Sequence, residues 1–473
     1  MEIFKKYIIF AMAGVLMLPI AILYIRSGTP VVRIDPGMLA VGAATPVKLS
    51  VVNPHGIRQL TAVLEQDGHR YVVHDQRYPS HRILFANNEP ARDYQFVAGL
   101  KTTPVLKEGK AVLVVEAVSN DFGGSIGRAT RELVIVTKPP RVIPEDELHY
   151  INQGGSELVT YAVGGYATGS GVKVGDLRFR GFPATGTERR LALFAYPWNM
   201  SPGTDPLVFA TSAAAANGEE ITAPIRYKLF PKKFRKRDLK IEDPFLEKVA
   251  AEIDPGGQGT LLARFLRING EIRRQNNQTL ADLKLKTADH FLWSGPFLQL
   301  SKSQVEAQFA DVRSYIYHGK KVDEQVHLGF DLAKVKNTPI GAANDGKVLL
   351  AEKLGIYGNC VVVDHGLSLQ SIYGHLSEIK VKAGDDVKRG QLVGLSGATG
   401  LAGGDHLHFS MQIEGVQVNP VEWWDEHWIK DHVLKRTNPA QAGVPEKGLE
   451  ASDQNSAPAP AGRKPRSRSK HRN

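Results

Sequence analysis

Two histidines stand one residue apart in "GGDHLHFSM" (403–411), inside a run that alternates polar and apolar residues. Strict alternation sends His406, His408, Ser410 and Gln412 to one face of a strand, and Leu407, Phe409, Met411 and Ile413 to the other. The apolar face belongs to a core, so the imidazoles look away from it. Upstream, "VHLGFDLA" sets His327 and Asp331 four residues apart around Gly329. An extended or gently bent segment returns both side chains to one side, and the glycine permits close backbone approach. A third segment, "LQSIYGHL", reads as a strand with Ser371, Tyr373 and His375 on one face. One strand histidine alone is ordinarily a hydrogen-bonding surface residue. Four histidines and a carboxylate on polar strand faces are a donor set for a borderline-soft dication such as Zn2+, which in a catalytic site takes three N/O ligands and keeps an open position. Two neutral imidazoles and one carboxylate leave net positive charge, which acidifies coordinated water and polarises a carbonyl. The two remaining imidazoles can then move protons or stabilise an oxyanion.

These segments resemble the three signature stretches of lysostaphin-type zinc endopeptidases, the LytM domain: His327-x-x-x-Asp331, "YGHL" at 373–376 and "HLHF" at 406–409. The flanking "GNCVVVDHG", "KAGDDVKRGQLVGLSGATG" and "GVQVNP" follow in the same order, so the resemblance covers about residues 325–422. It implies one zinc ion held by His327, Asp331 and His408. It implies that His375 and His406 are catalytic without ligating, as general base and transition-state stabiliser, with the order between them open. It also implies a compact antiparallel sheet whose loops wall a groove, and cleavage of peptide bonds in peptidoglycan stems or crosslinks. "GATGLAGGD" (397–405) is similar to one such loop. No ligand position is missing, unlike in degenerate members that activate other hydrolases. Cys360 falls in a strand whose counterpart is structural and reads as a small core residue. Asp364 and His365 read as a turn-stabilising pair. The "GDDVKRGQLVG" stretch also resembles biotinyl and lipoyl carrier turns, but no lysine stands at a suitable hairpin tip.

The rest of the 473-residue chain must position and deliver this site. Its 42% hydrophobic and 23% charged content is ordinary for globular protein. The single cysteine excludes a disulfide framework and a Cys-rich zinc finger. The formal charge of +10 concentrates in "PKKFRKRDLK" (231–240) and "RKPRSRSKHRN" (463–473), runs that suit polyanions or a solvated surface. Compartment decides between them. After Lys5 and Lys6, residues Tyr7 to Ile25 carry no charge, and Arg26 closes the run. That length just spans a hydrocarbon core, and "ILYIRSGTP" makes a poor cleavage site. Residues 1–29 therefore read as a cytoplasmic stub and single-pass anchor in the inner (cytoplasmic) membrane. The positive-inside rule then exports the bulk of the chain to the periplasm or cell exterior, and no nucleic-acid partner is expected.

Turn-punctuated short strands fill residues 30–138, a β-sandwich-like module, and continue through a second β-rich module at 139–240. A helical connector follows at 241–303, then the β-rich peptidase-like domain at 304–436. Residues 437–473 are polar, basic and poor in large apolar residues, the composition of a disordered tail. The expected architecture is mainly β, with an N-terminal membrane helix, two sandwich-like modules, a short connector and a C-terminal antiparallel peptidase sheet. The expected function is a membrane-anchored, exported zinc endopeptidase acting on peptidoglycan. Its alternative is a latent or non-catalytic wall-binding regulator, with the connector (about 255–300) as a plug. The modules would hold the domain out toward the wall; any wall-assembly protein partners are left unidentified.

Overall fold

A computed structural model describes residues 14–15, 17–83, 88–184, 188–212 and 219–437. The expected disordered tail lies outside these from residue 438, as do residues 7–13 and 16 of the expected anchor. Among the described residues no helix is long and apolar enough to cross a membrane.

The alternating pattern of the first module becomes a sandwich. In Thr45–Val52 every second residue is buried, as half-buried strands require. A three-stranded sheet (31–34, 45–52, 92–98) packs on a five-stranded one (40–41, 126–135, 109–119, 57–66, 69–77). Val47, Leu49, Leu60, Leu64, Leu113 and Val115 meet between them.

The second module behaves differently. Its two four-stranded sheets share one continuous core with the C-terminal domain, in which Tyr161, Phe179 and Phe194 join Tyr373, Phe409 and Trp423. Trp423 is fully buried, packs on Trp293, Phe297 and Trp428, and donates its indole N–H to Ser156 Oγ at 3.1 Å. Truncating such an anchor to alanine costs about 3–5 kcal/mol. Beside it Glu422 accepts hydrogen bonds from Asn152 Nδ2 (2.9 Å), Ser156 N (2.7 Å) and Ser156 Oγ (3.0 Å).

The C-terminal domain is built on an eight-stranded sheet in which Phe330–Ala333, Leu407–Ile413, Leu369–Leu376 and Asn359–Asp364 are successive antiparallel neighbours. One face packs into the shared core. The other takes the connector, where Val249, Ile268, Leu280 and Leu283 cover Leu350, Cys360, Val362 and Ile372. The connector is helical over Asp243–Ile253, Leu261–Arg267 and Arg273–Asp282, with a π turn at Ile268–Ile272 between the last two. Its last stretch is not helical: Phe291, Trp293 and Phe297 pack into the shared core. Lys236–Lys240, placed by sequence at the end of the second module, pairs in parallel with Asp311–Tyr317, which pairs antiparallel with Lys320–His327. Strand pairs within 304–436 are antiparallel, and the parallel pair is made with a strand from outside that range. Parallel pairing needs a long crossover between the two strands, which the connector supplies, and hydrophobic periodicity does not report such pairing.

Burial pushes the Glu422 carboxyl up to about 7, and the negative Glu157 nearby adds to the shift. A raised carboxyl pKa stabilises the folded state fully below the unfolded value near 4.5, and that contribution is lost as pH climbs toward 7. Thermal melts of wild type and Glu422→Gln from pH 4.5 to 8 should show the wild type losing stability relative to the variant across that window. A pH-independent difference would mean that Glu422 is ionised throughout.

Candidate metal centre and active-site groove

His408 sits in the Leu407–Ile413 strand directly opposite Asp331, and His327 ends the strand that pairs through Asp311. Three ring and carboxylate atoms therefore converge. His327 Nε2 lies 2.9 Å from Asp331 Oδ1 and 3.0 Å from His408 Nδ1, and His408 Nδ1 lies 3.1 Å from Asp331 Oδ1. All three residues are buried, and among the described residues they form the group able to hold a metal ion.

The tautomers follow from the outer bonds. His327 Nδ1 faces the Gln308 carbonyl at 3.1 Å, so it carries the proton and leaves Nε2 with its lone pair toward the centre. Ser410 Oγ donates to the Leu328 carbonyl at 2.6 Å and so accepts from His408 Nε2 at 2.9 Å, which leaves His408 Nδ1 bare. Two lone pairs and a carboxylate oxygen thus face one point. Tetrahedral zinc with ligands at 2.0–2.1 Å would set its donors about 3.3 Å apart, close to the observed triangle. Donor chemistry and spacing fit zinc.

Electrostatics keep Asp331 ionised and His408 neutral. Burial opposes the Asp331 charge, but the imidazoles of His327, His406 and His408 beside it hold the carboxyl well below its usual range. Burial pulls His408 down to about 4 against the opposing Asp331 bond.

His375 and His406 stand beside the triangle rather than in it. Their ring centroids are 4.9 Å apart, and His375 is 5.7 Å from His408. Each ties Nδ1 to a backbone carbonyl, Thr399 and Gly404 respectively, at 2.8 Å. His406 Nε2 then lies 3.5 Å from Asp331 Oδ1.

The route of His375 to this place corrects the simple alternation. Ser371 and Tyr373 do share a face, but it is the core face: Tyr373 packs on Phe409 and its hydroxyl lies 2.9 Å from Ser371 Oγ. His375 does not follow them. Asn359 pairs with Leu376 and Val361 with Tyr373, so one extra residue bulges out of the 369–376 strand, and His375 adopts φ +61°. The bulge re-aims its ring across the sheet into the groove. A left-handed non-glycine residue is strained, and "YGHL" carries no turn signal that announces it.

The centre opens into a groove of ≈ 590 Å³ lined also by Arg237, Phe245, Arg273, Tyr357 and Ala402. The helix Asp243–Ile253 holds the 397–405 loop at the groove's rim: Lys248 Nζ donates to the carbonyls of Ala398 and Ala402, and Glu252 accepts from Gly400 N at 2.6 Å. The connector walls the groove rather than filling it. Cys360 is buried in the connector interface, and its thiol pKa is raised by burial. Asp364 accepts from Thr287 Oγ1 and Ala288 N, and His365 bonds Asp345 O and Ser371 Oγ. Neither belongs to the metal centre.

Arg313 is a functional residue that the sequence reading did not find. Its Nη2 donates to Asp331 Oδ2 at 2.6 Å, leaving Oδ1 to the triangle. Nothing in "ADVRSY" marks this arginine, because only strand pairing carries it to Asp331. Gly329, by contrast, is explained by contact: a Cβ there would stand 2.6 Å from His408 Cε1 and 2.4 Å from Ser410 Oγ.

Two outcomes follow for zinc affinity, measured by competition with a chromogenic chelator. Arg313→Ala should weaken binding roughly 10–100-fold, as loss of a partner that orients a ligand does; unchanged affinity would remove Arg313 from the centre. Gly329→Ala should displace His408 and weaken zinc at least as much, with the fold kept by circular dichroism.

Residues 325–420 match the model of peptidase family M23. The chain is 43% identical over 96 residues to an uncharacterised metalloprotease of Haemophilus influenzae, covering 20% of each chain. It is 42% identical over 96 residues to the peptidoglycan DD-endopeptidase ShyA of Vibrio cholerae, covering 20% of this chain and 22% of that one. The chain thus spans about a fifth of the length of these relatives. Among solved structures, the catalytic domain of lysostaphin from Staphylococcus simulans is 27% identical, with TM-score 0.24, 28% of this chain covered and 98% of that chain. The segment that carries the His327, Asp331 and His408 triangle, residues 325–420, is a peptidase family M23 domain of the LytM type.

Proposed function

We propose that this chain is a zinc endopeptidase that hydrolyses peptide bonds in peptidoglycan stems or crosslinks, exported and anchored in the cytoplasmic membrane by its N-terminal apolar run. The observation that carries the reading is the division of labour in the groove: three donors point at one another, and two further imidazoles present Nε2 without joining them. Relatives named as a peptidoglycan DD-endopeptidase and a metalloprotease support the substrate class and the chemistry. Export and the anchor rest on Lys5, Lys6 and the Tyr7–Ile25 run alone.

His327 Nε2, Asp331 Oδ1 and His408 Nδ1 would hold a zinc ion, which would supply a Lewis acid for the scissile carbonyl and for water. The chain's own residues do the rest. Gln308 O and Ser410 fix the ligand tautomers, and Arg313 keeps Asp331 turned inward. The groove admits an extended peptide between the 397–405 loop and the Lys236–Lys240 strand. His375 and His406, each with Nδ1 fixed to a backbone carbonyl, present Nε2 to the groove, that of His406 within 3.5 Å of Asp331 Oδ1, where they can take a proton from water, pass it to the leaving amine, and hydrogen-bond the developing oxyanion. Holding both rings in place beforehand lowers the barrier without reorganisation at the moment of reaction.

The test uses the full chain in detergent with defined crosslinked muropeptide dimers, with products read by mass spectrometry. Cleavage should disappear with a chelator, in His408→Ala and in His406→Ala. Zinc should be lost from His408→Ala and retained by His406→Ala. No cleavage by protein with stoichiometric zinc would overturn the enzyme in favour of a wall-binding regulator, and absence of zinc binding would overturn the centre itself.

A further inference from the structure

We propose that Arg273 and Arg237 form a carboxylate-binding wall of the groove, so that the peptide this chain accepts is anionic beside its scissile bond. The proposal rests on the peptidase reading and deepens it, because it names the chemistry of the substrate. Both arginines lie outside the M23 segment, one on the connector and one on the Lys236–Lys240 strand, yet both line the same groove as His327 and His408.

Arg273 is built as a receptor. Its Nε and Nη2 both donate to Asn269 Oδ1, at 3.2 and 2.5 Å, and Nε also meets the Asn269 carbonyl at 3.1 Å. Asn269 is fully buried and is itself fixed by donating to Asp323 Oδ2 at 2.6 Å. A neutral amide thus orients the guanidinium without discharging it, and among the described residues Arg273 has no carboxylate partner. It stands close to the chemistry. Its charge acts on the Tyr357 hydroxyl, opposing the burial that raises that group's pKa, and the Tyr357 ring is 5.6 Å from that of His408.

Arg237 is the neighbour of Arg313 in the parallel ladder. Arg313 is committed to Asp331, whereas Arg237 donates to the Glu306 carbonyl at 2.5 Å and likewise has no carboxylate partner among the described residues. Lys240 adds a fourth cation to the lining, beside Arg237, Arg273 and the committed Arg313, against the exposed side chains of Glu242 and Glu306. A planar fork held in place matches a carboxylate by two parallel hydrogen bonds. Stem peptides rich in free carboxylates offer such groups next to their crosslinks; neutral oligoglycine bridges do not.

The experiment compares a crosslinked muropeptide dimer with the same dimer after amidation of its free carboxylates, using the zinc-loaded full chain. Wild type should favour the acidic peptide in kcat/KM by roughly 10–100-fold, the scale of a charge-assisted hydrogen bond of about 1.5–3 kcal/mol. In Arg273→Gln that ratio should fall toward one, chiefly through KM, and Arg273→Lys should restore part of it. Calorimetric binding of the two peptides to zinc-loaded His406→Ala, with and without Arg273→Gln, gives the same comparison without turnover. It therefore separates this proposal from the peptidase reading. Equal handling of acidic and amidated peptides by wild type, or an unchanged ratio in Arg273→Gln, would overturn it.

Discussion

Three electron-rich atoms held within about 3 Å of one another repel unless something positive lies between them, and this constraint organises the C-terminal domain. The Asp331, His327 and His408 donors are not kept together by their own attraction. They are kept by what stands behind each of them: the Gln308 carbonyl, the Ser410 hydroxyl and the Arg313 guanidinium. Each of those comes from a different strand or strand end, so the geometry of the centre is the geometry of strand pairing. The buried sheet is stiff enough to hold the arrangement because its far side is locked into a core that continues through the second module.

The two faces of that sheet have unlike duties. Apolar residues of Leu407–Ile413 and Leu369–Leu376 face the shared core, where the Trp423 cluster joins them to the second module. The opposite face is divided between the connector helices and the groove. The connector therefore has a double role. It covers Cys360, Val362 and Ile372, and it supplies Arg273 and the Lys248 and Glu252 grips on the rim loop. Structure and site are not separable there.

Much of the centre was legible in the sequence because alternation is a strict geometric rule. Leu407 to Ile413 alternate, so the placement of His408 and Ser410 on one side of the sheet followed from residue types alone. The close approach at Gly329 was legible for the same reason, since only a missing Cβ leaves room for the His408 ring. His375 was harder. Its identity came from its resemblance to known segments, while its path depends on one bulged residue and a left-handed backbone that no local composition announces. Arg313 and Arg273 were invisible for another reason: each gains its meaning from a partner far away in sequence, and a single arginine in a charged run carries no such information. The same limit explains Lys236–Lys240, whose basic run reads as a solvated edge yet supplies a parallel strand beside the site.

That parallel strand bears on modularity. The segment recognisable as M23 begins at residue 325, but the hairpin that shapes one wall of its groove starts at Asp311 and leans on Lys236–Lys240. Excising the recognisable piece would cut the 320–327 strand away from its Asp311–Tyr317 partner, open a strand edge, and uncover the apolar surface beneath the connector. The unit of sequence similarity is thus smaller than the unit of folding. Recombination that moved residues 325–420 into another chain would carry the metal ligands along and leave behind Arg313, Arg237 and Arg273, so the two parts of the groove are free to evolve at different rates.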